Sequence, residues 1–470
     1  MRRSILFVFL LVACQPGRKE NWNTGVDTPS LKRSLSAARE GGLFTLKEWP
    51  SDTWWDMFAS EELSRCIVTA LEKNPTLKAA EKRIQVLRNI AEQKKSKLYP
   101  HISFFTEDDW IRISKNGLYR AFNPNLNLDG NVIDFSLSFD YEFDFWKKNR
   151  NNFLAAFGKE RAAAADAMQT KIVITTSVAA AYFALKTNQV KEVLFQELLE
   201  IYQTWKAITC VMSGSGLVSL IPVTNAEEKT EEVKKQLLAT QEAIELNRHA
   251  LAVLTGESPD EKKEWNAILC PASSVFILPE EIDINLMARR PDLVAVFWQI
   301  EAYAHEIHAA KALYLPSINL KGIAGFESLS WKTIFDFTSA TASLIPFIQL
   351  PVYTAGEIAG IVGEKAALFH EAICRYNETL LKAFQEITDA IAVAETVALQ
   401  KKAETRILQS AEERNRLVEG RFLCGLDNRF AALERKSEVV VQKIVDTDLT
   451  FAEYLAHIKL IKSLGGGYKE

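Results

Sequence analysis

Residues that break regular structure are scarce in this chain. Its 470 residues hold 20 glycines and 14 prolines, about 7% together against the roughly 12% of an average protein. So few breakers imply long uninterrupted elements. An excess of one charge is missing too. Lys and Arg number 56 against 60 Asp and Glu, a net charge of -4, which argues against a general nucleic-acid-binding face. Cysteine is sparse: the six, at 14, 66, 210, 270, 374 and 424, include no C-x-x-C pair. Their spacing fits neither a disulfide framework nor a zinc site. Apolar residues at 48% and charged residues at 25% exclude a disordered chain and a polytopic helical membrane protein. Composition alone reads as mostly helical, with a length that would suit about three domains.

The amino terminus sets a compartment. Met1-Arg2-Arg3 is a basic start, Ile5 to Val12 is a short apolar run, and Leu11-Val12-Ala13-Cys14 follows. Eight apolar residues suit a signal peptide and not a permanent span. Small residues before a cysteine match a bacterial lipobox, so residues 1–13 are expected to be removed and Cys14 lipidated. Gln15 departs from the aspartate of inner-membrane retention.

Four stretches lack both glycine and proline: 159–213, 223–255, 364–419 and 426–464. The longest would form helices of about 80 Å. Charges such as Lys171, Lys186, Glu192, Lys401 and Glu404 are scattered through them, so they read as long coiled-coil helices and not as membrane spans. The chain also repeats itself. Asn74-Pro75 and Arg290-Pro291 each open a helical run that closes 25 residues after its proline, at Leu98-Tyr99-Pro100-His101-Ile102 and Leu315-Pro316-Ser317-Ile318. The offset is 216 at both ends, and 209 farther on, where Gly216-Leu217 matches Gly425-Leu426. Internal duplication dictates architecture. Repeat one is placed at 61–265 and repeat two at 285–464, after a segment at 14–60, with a linker at 266–284 and a tail at 465–470. Each repeat reads helix, hairpin (about 101–146 and 317–353), very long helix, turn (about 214–222 and 420–428), helix.

The most specific strand lies in the first hairpin. Ile133, Phe135, Leu137, Phe139, Tyr141, Phe143 and Phe145 alternate with Asp134, Ser136, Ser138, Asp140, Glu142 and Asp144. Period-two alternation of this length puts aromatics on one face and acids on the other, and lipid outside with water inside fits it. Partner strands around Ile102–Trp110, Ser317–Phe326 and Ala340–Tyr353 alternate more weakly. Four strands cannot close a barrel alone, so three subunits and twelve strands are expected.

These residues resemble the TolC-like outer-membrane efflux proteins, in particular the lipoprotein branch that includes OprM and NodT. The likeness runs in register through Trp54-Trp55-Asp56-Met57-Phe58, Asn74-Pro75, Tyr141-Glu142-Phe143-Asp144-Phe145-Trp146 and Ala288-Arg289-Arg290-Pro291-Asp292-Leu293. It continues through Leu350-Pro351-Val352-Tyr353, Ala383-Phe384-Gln385-Glu386 and Ser463-Leu464-Gly465-Gly466-Gly467-Tyr468. The resemblance implies a mainly α subunit of a homotrimer: a 12-stranded membrane β-barrel continued by a 12-helix periplasmic α-barrel. It implies a passive exit duct for small molecules, working with a periplasmic adaptor and an inner-membrane RND-type pump, and surrounded by outer-membrane lipid. Asp134, Asp140, Glu142 and Asp144 would face the lumen. Gly216, Phe422, Gly425, Asp427 and Glu434 would form the periplasmic tip and gate. The family carries two acids six and nine residues beyond the second turn glycine; here Ala431 stands at the first position, without a carboxylate, and Glu434 keeps the second. Asp427 stands where some members have an arginine, Phe422 where a latch tyrosine occurs, and Lys147 where a glycine is usual.

Catalytic chemistry is not expected. His305 and His308 beside Glu306 lack zinc-protease spacing, and Gly214-Ser215-Gly216 lacks the third glycine of a dinucleotide loop. Gly465–Gly467 closes the chain's last helix. Neither a metal nor another cofactor is expected, nor a nucleic-acid partner. Two other readings stay open: a duct for type I protein secretion, and a lipid-anchored periplasmic coiled-coil scaffold without a pore.

Overall fold

The computed structural model describes residues 44–47, 49–125, 129–260, 276–279 and 286–469; Cys14 and the signal segment lie outside them. The chain runs β1 (Phe44–Lys47), α1 (Glu61–Lys73), α2 (Pro75–Ser96), β2 (His101–Arg112), β3 (Asp129–Phe143), α3 (Lys148–Gly214) and α4 (Leu220–Thr255). Then come β4 (Phe276–Pro279), α5 (Pro291–Lys311), β5 (Ser317–Ser328), β6 (Ala340–Gln349), α6 (Glu357–Leu423) and α7 (Arg429–Ser463). β2, β3, β5 and β6 form one antiparallel sheet in that order, and β1 pairs in parallel with β4.

The duplication is structural. α3 and α6 have 67 residues each and span about 100 Å, longer than the breaker-free stretches because glycines sit inside them. Gly158 is one: a Cβ there would stand 3.1 Å from the Ala302 Cβ, so it lets α5 approach α3 closely. Pro222 lies in the first turn of α4, where a missing N–H costs nothing, so the helix starts before the sequence pattern suggests. The seven-residue difference between the halves falls in the hairpins. His101 to Lys147 is seven residues longer than Ser317 to Gly356.

The helix joints explain the paired motifs. Asn74 caps α2: its Oδ1 accepts from the N–H groups of Thr76 and Leu77, and its Nδ2 donates to the Leu254 carbonyl at the end of α4, at 2.8 Å. Arg290 holds the equivalent place in repeat two. Its buried guanidinium binds Asp292 with two nitrogens, Glu386 at 2.7 Å and the Ser463 carbonyl at the end of α7. Burial would lower the Arg290 pKa, but the bonds and charges of Asp292 and Glu386 outweigh it and raise it. Each repeat is thus clasped by the residue before its proline.

The main core sits where α1, α3 and α7 meet. Trp54, Trp55 and Phe58 form a one-turn helix packed into it, and Phe183 stacks on Tyr454 with ring centres 4.0 Å apart. Beside it, the fully buried Lys186 lies 2.6 Å from Glu62, which also accepts from the Tyr182 hydroxyl. A second cluster joins Phe276 and Leu278 of β4 to Leu293, Phe384, Ile387 and Leu460. Lower down, Phe195, Leu198, Val233, Leu433 and Val440 knit α3, α4 and α7 together. Among the described residues, no helix is long and apolar enough to cross a membrane.

Candidate functional site

Register decides which residues share a face of the four-stranded sheet. Asp134, Ser136, Ser138, Asp140 and Glu142 of β3 lie opposite Glu107, Phe105, Ser103 and His101 of β2, and opposite Glu327, Gly325, Ile323, Lys321 and Asn319 of β5. The other face gathers Ile102 and Phe104, Leu137 and Phe139, Ala324 and Leu320, Leu344 and Ile348. Several of these are widely exposed: Ile102 at 68%, Phe104 at 62%, Leu344 at 68% and Ile348 at 69%. An apolar surface this continuous is not left in water.

The four acids expected on the polar face have unequal surroundings. Asp134 stands between Glu107 and Glu327 in one cross-strand row of three carboxylates. Asp140 stands between His101 and Lys321. Glu142 is held by Lys148 at 2.5 Å and by the Asn149 side-chain amide at 3.2 Å. Asp144 lies beyond the strand, which ends at Phe143, so the expectation of a strand acid is corrected. Its carboxylate accepts from the N–H groups of Asn149 and Arg150 at 2.9 and 2.7 Å, satisfying the open first turn of α3. Phe145 lies beyond the strand as well. Ile133 departs from the expected exposed stripe: it is fully buried, although it lies on the apolar face.

Lys148 also lines a cleft of about 360 Å3 walled by α2, α3, α5 and α6. Lys94 and Ile90 enter it from α2, Lys159 from α3, Glu306 from α5, and Lys365 from α6. Glu306 bridges Lys159 at 2.5 Å and Lys365 at 3.3 Å. The Glu364 carboxylate, then Glu306, raise the Lys365 pKa against the opposing pull of burial. His305, half of the motif weighed as a metal site, has Nδ1 3.0 Å from the Asn151 side-chain oxygen, and burial lowers its pKa. Among the described residues, no three His, Cys, Asp or Glu side chains cluster as metal ligands do.

At the far end of the helices the two turns share one geometry. Gly216 and Gly425 have φ of 72° and 73°, the left-handed state that suits glycine. Leu217 N donates to Met212 O and Gly216 N to Ser213 O; Leu426 N donates to Arg421 O and Gly425 N to Phe422 O. Leu217, Leu220, Ile221, Leu423 and Leu426 are all exposed there. Asp427 binds Arg421 across the second turn at 2.6 Å, and the Arg429 guanidinium lies 5.2 Å from the Phe422 ring centre. Glu434 is exposed, 3.3 Å from Arg435, whose guanidinium also holds both oxygens of Glu438. Arg421, Glu107 and Glu327 had no signal in the sequence patterns; the cross-strand register and the turn bring them in.

The outer membrane efflux protein family model matches residues 66–257 and 285–466. The multidrug resistance outer membrane protein MdtP of Escherichia coli K12 is 26% identical over 434 residues, covering 90% of this chain and 87% of MdtP. Among solved structures, the CmeC outer membrane channel of Campylobacter jejuni superposes with a TM-score of 0.83 at 22% identity, with 90% of each chain covered. The outer membrane protein VceC of Vibrio cholerae gives 0.79 at 25% identity, covering 90% of this chain and all of VceC.

Proposed function

The chain belongs to the outer membrane efflux protein family, and on that premise we propose that it is the outer-membrane duct of a tripartite efflux system, a homotrimer serving small-molecule export. One observation carries the reading: a two-faced sheet of four strands, open at both edges, continues into helices of 67 residues. A membrane sheet must close, and the smallest single-chain barrels have eight strands. Three copies supply twelve strands, with β2 of one copy pairing to β6 of the next. The apolar face meets lipid and the polar face lines water. The protein itself runs no reaction, and energy comes from an inner-membrane RND-type pump reached through a periplasmic adaptor at the exposed leucines of the two turns. Cys14 carries the lipid anchor.

The row Glu107, Asp134 and Glu327 repeats three times around the barrel and gives the pore a preference for cations. Asp140 and Glu142 contribute less, because Lys321 and Lys148 stand beside them. At the tip, three copies of Glu434 ring the entrance, next to the Arg421–Asp427 strap. The test is single-channel recording of detergent-extracted protein together with its mass. A trimer with cation-selective conductance supports the reading. A non-conducting particle of any size overturns it, and would favour the lipid-anchored scaffold.

A further inference from the structure

The loop joining β5 to β6, residues 329–339, folds over the apolar face of the sheet and not across the polar one. Ile334 is fully buried. The Phe335 ring lies 5.4 Å from Phe135 and 6.2 Å from Phe326. The Trp331 ring stands edge-on to Phe135 at 6.0 Å, and its Nε1 donates to Asp108 at 3.2 Å. Phe135, Phe326 and Asp108 all belong to the apolar face by register, and the buried Ile133 lies two residues before Phe135.

Depth can be judged from strand geometry. At a rise of about 3.3 Å per residue and a tilt near 40°, the ten steps from Phe143 to Ile133 climb about 25 Å along the membrane normal. That is the height of the apolar band of an outer-membrane barrel. The rows covered by the loop are needed to complete the band, so the loop stands level with the outer leaflet. Five of its amides find partners within the protein, as surroundings poor in water favour. Ser330 N donates to Ser328 Oγ and Lys332 N to Ser330 Oγ. Thr333 N, Asp336 N and Ser339 N each donate to the carbonyl three residues back. Outward the loop presents Trp331 at 55% exposure, Phe335 at 69% and Phe337 at 91%. Girdles of aromatic side chains flank the apolar band of outer-membrane barrels, with Trp the most favoured at such a boundary together with Tyr.

We propose that residues 329–339 form a lipid-binding flap that seats Trp331, Phe335 and Phe337 in the boundary between acyl chains and headgroups of the outer leaflet. The flap replaces Ile133 and Phe135 as the lipid contact of β3 and keeps this loop off the pore mouth. The inference rests on the outer-membrane reading above. It is tested with wild-type protein and Trp331→Phe in vesicles of dioleoylphosphatidylcholine or its brominated counterpart. The difference in emission isolates Trp331, and brominated lipid should quench most of it while aqueous iodide leaves it unchanged. Quenching by iodide alone, or by neither agent, overturns the flap. Trp110, exposed on the same face of β2, stays in the variant as a control. If brominated lipid quenches nothing in that variant either, the membrane reading fails and not the flap alone. A nitroxide on Phe337→Cys, read as the difference from the identically labelled parent because Cys210, Cys374 and Cys424 are exposed as well, gives a second measure, expected to be more accessible to oxygen than to a water-soluble nickel chelate; the reverse order overturns the proposal.

Discussion

The first half of the chain enters its long helix through Lys147, the second through Gly356, at positions 209 residues apart. Both are left-handed, with φ of 59° and 89°. Glycine takes that conformation freely, whereas a side chain is strained by about 1–2 kcal/mol. The first half offsets the strain with Asp144, which caps two N–H groups of α3; the second carries its side-chain strain one residue earlier, at Ala355 with φ of 48°, and α6 has no side-chain cap. The clasps differ in the same manner. Asn74 ties its repeat with a neutral amide, Arg290 with a charged network. Duplication has preserved the position of each joint and left its chemistry free to change.

That contrast can be broken in order of expected effect. Gly256 and Gly465 end the last helix of each half, but an added Cβ would meet the Lys73 carbonyl at 2.9 Å and the Arg289 carbonyl at 1.9 Å. Gly465→Ala should therefore prevent assembly on size exclusion, while Gly256→Ala folds with a loss of about 2 kcal/mol. Next, Arg290→Ala leaves Asp292 unpaired beside a partly buried site and should cost about 3 kcal/mol. Asn74→Ala should cost about 1 kcal/mol, the usual size for a lost cap. Both are read as shifts in thermal midpoint. Smaller still, Lys147→Gly should stabilise by about 1 kcal/mol, whereas Gly356→Lys should destabilise by a similar amount. If both substitutions prove neutral, the joints are not strained as described.

The smallest effect concerns pH. Asp166 has its pKa raised by burial and then by the charge of Asp292. A carboxyl held above its ordinary value is penalised when ionised, so stability gained below the usual carboxylate range is lost as pH rises through the raised value. Asp166→Asn should flatten that slope in melts taken across mildly acid pH and leave the protein slightly more stable at neutrality. Unchanged slopes would place the pH sensitivity elsewhere.

Much of this was legible in the sequence because β3 separates its two faces so sharply, and because the offsets of 216 and 209 mark the same joints. The acid row was only one-third visible. Phe104 and Phe105 are consecutive on β2, and β5 alternates poorly through Gly322 and Gly325, so Glu107 and Glu327 carried no pattern of their own. Asp144 looked like a strand residue because alternation of residue type ran on past Phe143, where the backbone had already turned toward Lys147. The flap was invisible, since its contacts with Phe135 join Trp331 and Phe335 to a strand nearly 200 residues away. Helix lengths were underread wherever a glycine serves packing inside a helix, as Gly158 does.

The central claim is that the polar face of the sheet lines a water-filled conduit and the apolar face meets lipid. Neighbouring residues on β3 test it directly: Ser138→Cys on the polar face and Phe139→Cys on the apolar one, each recorded in a planar bilayer against the parent protein. A charged, membrane-impermeant methanethiosulfonate should reduce single-channel current in steps for Ser138→Cys and leave Phe139→Cys unchanged. Block at Phe139 with none at Ser138 would contradict the account.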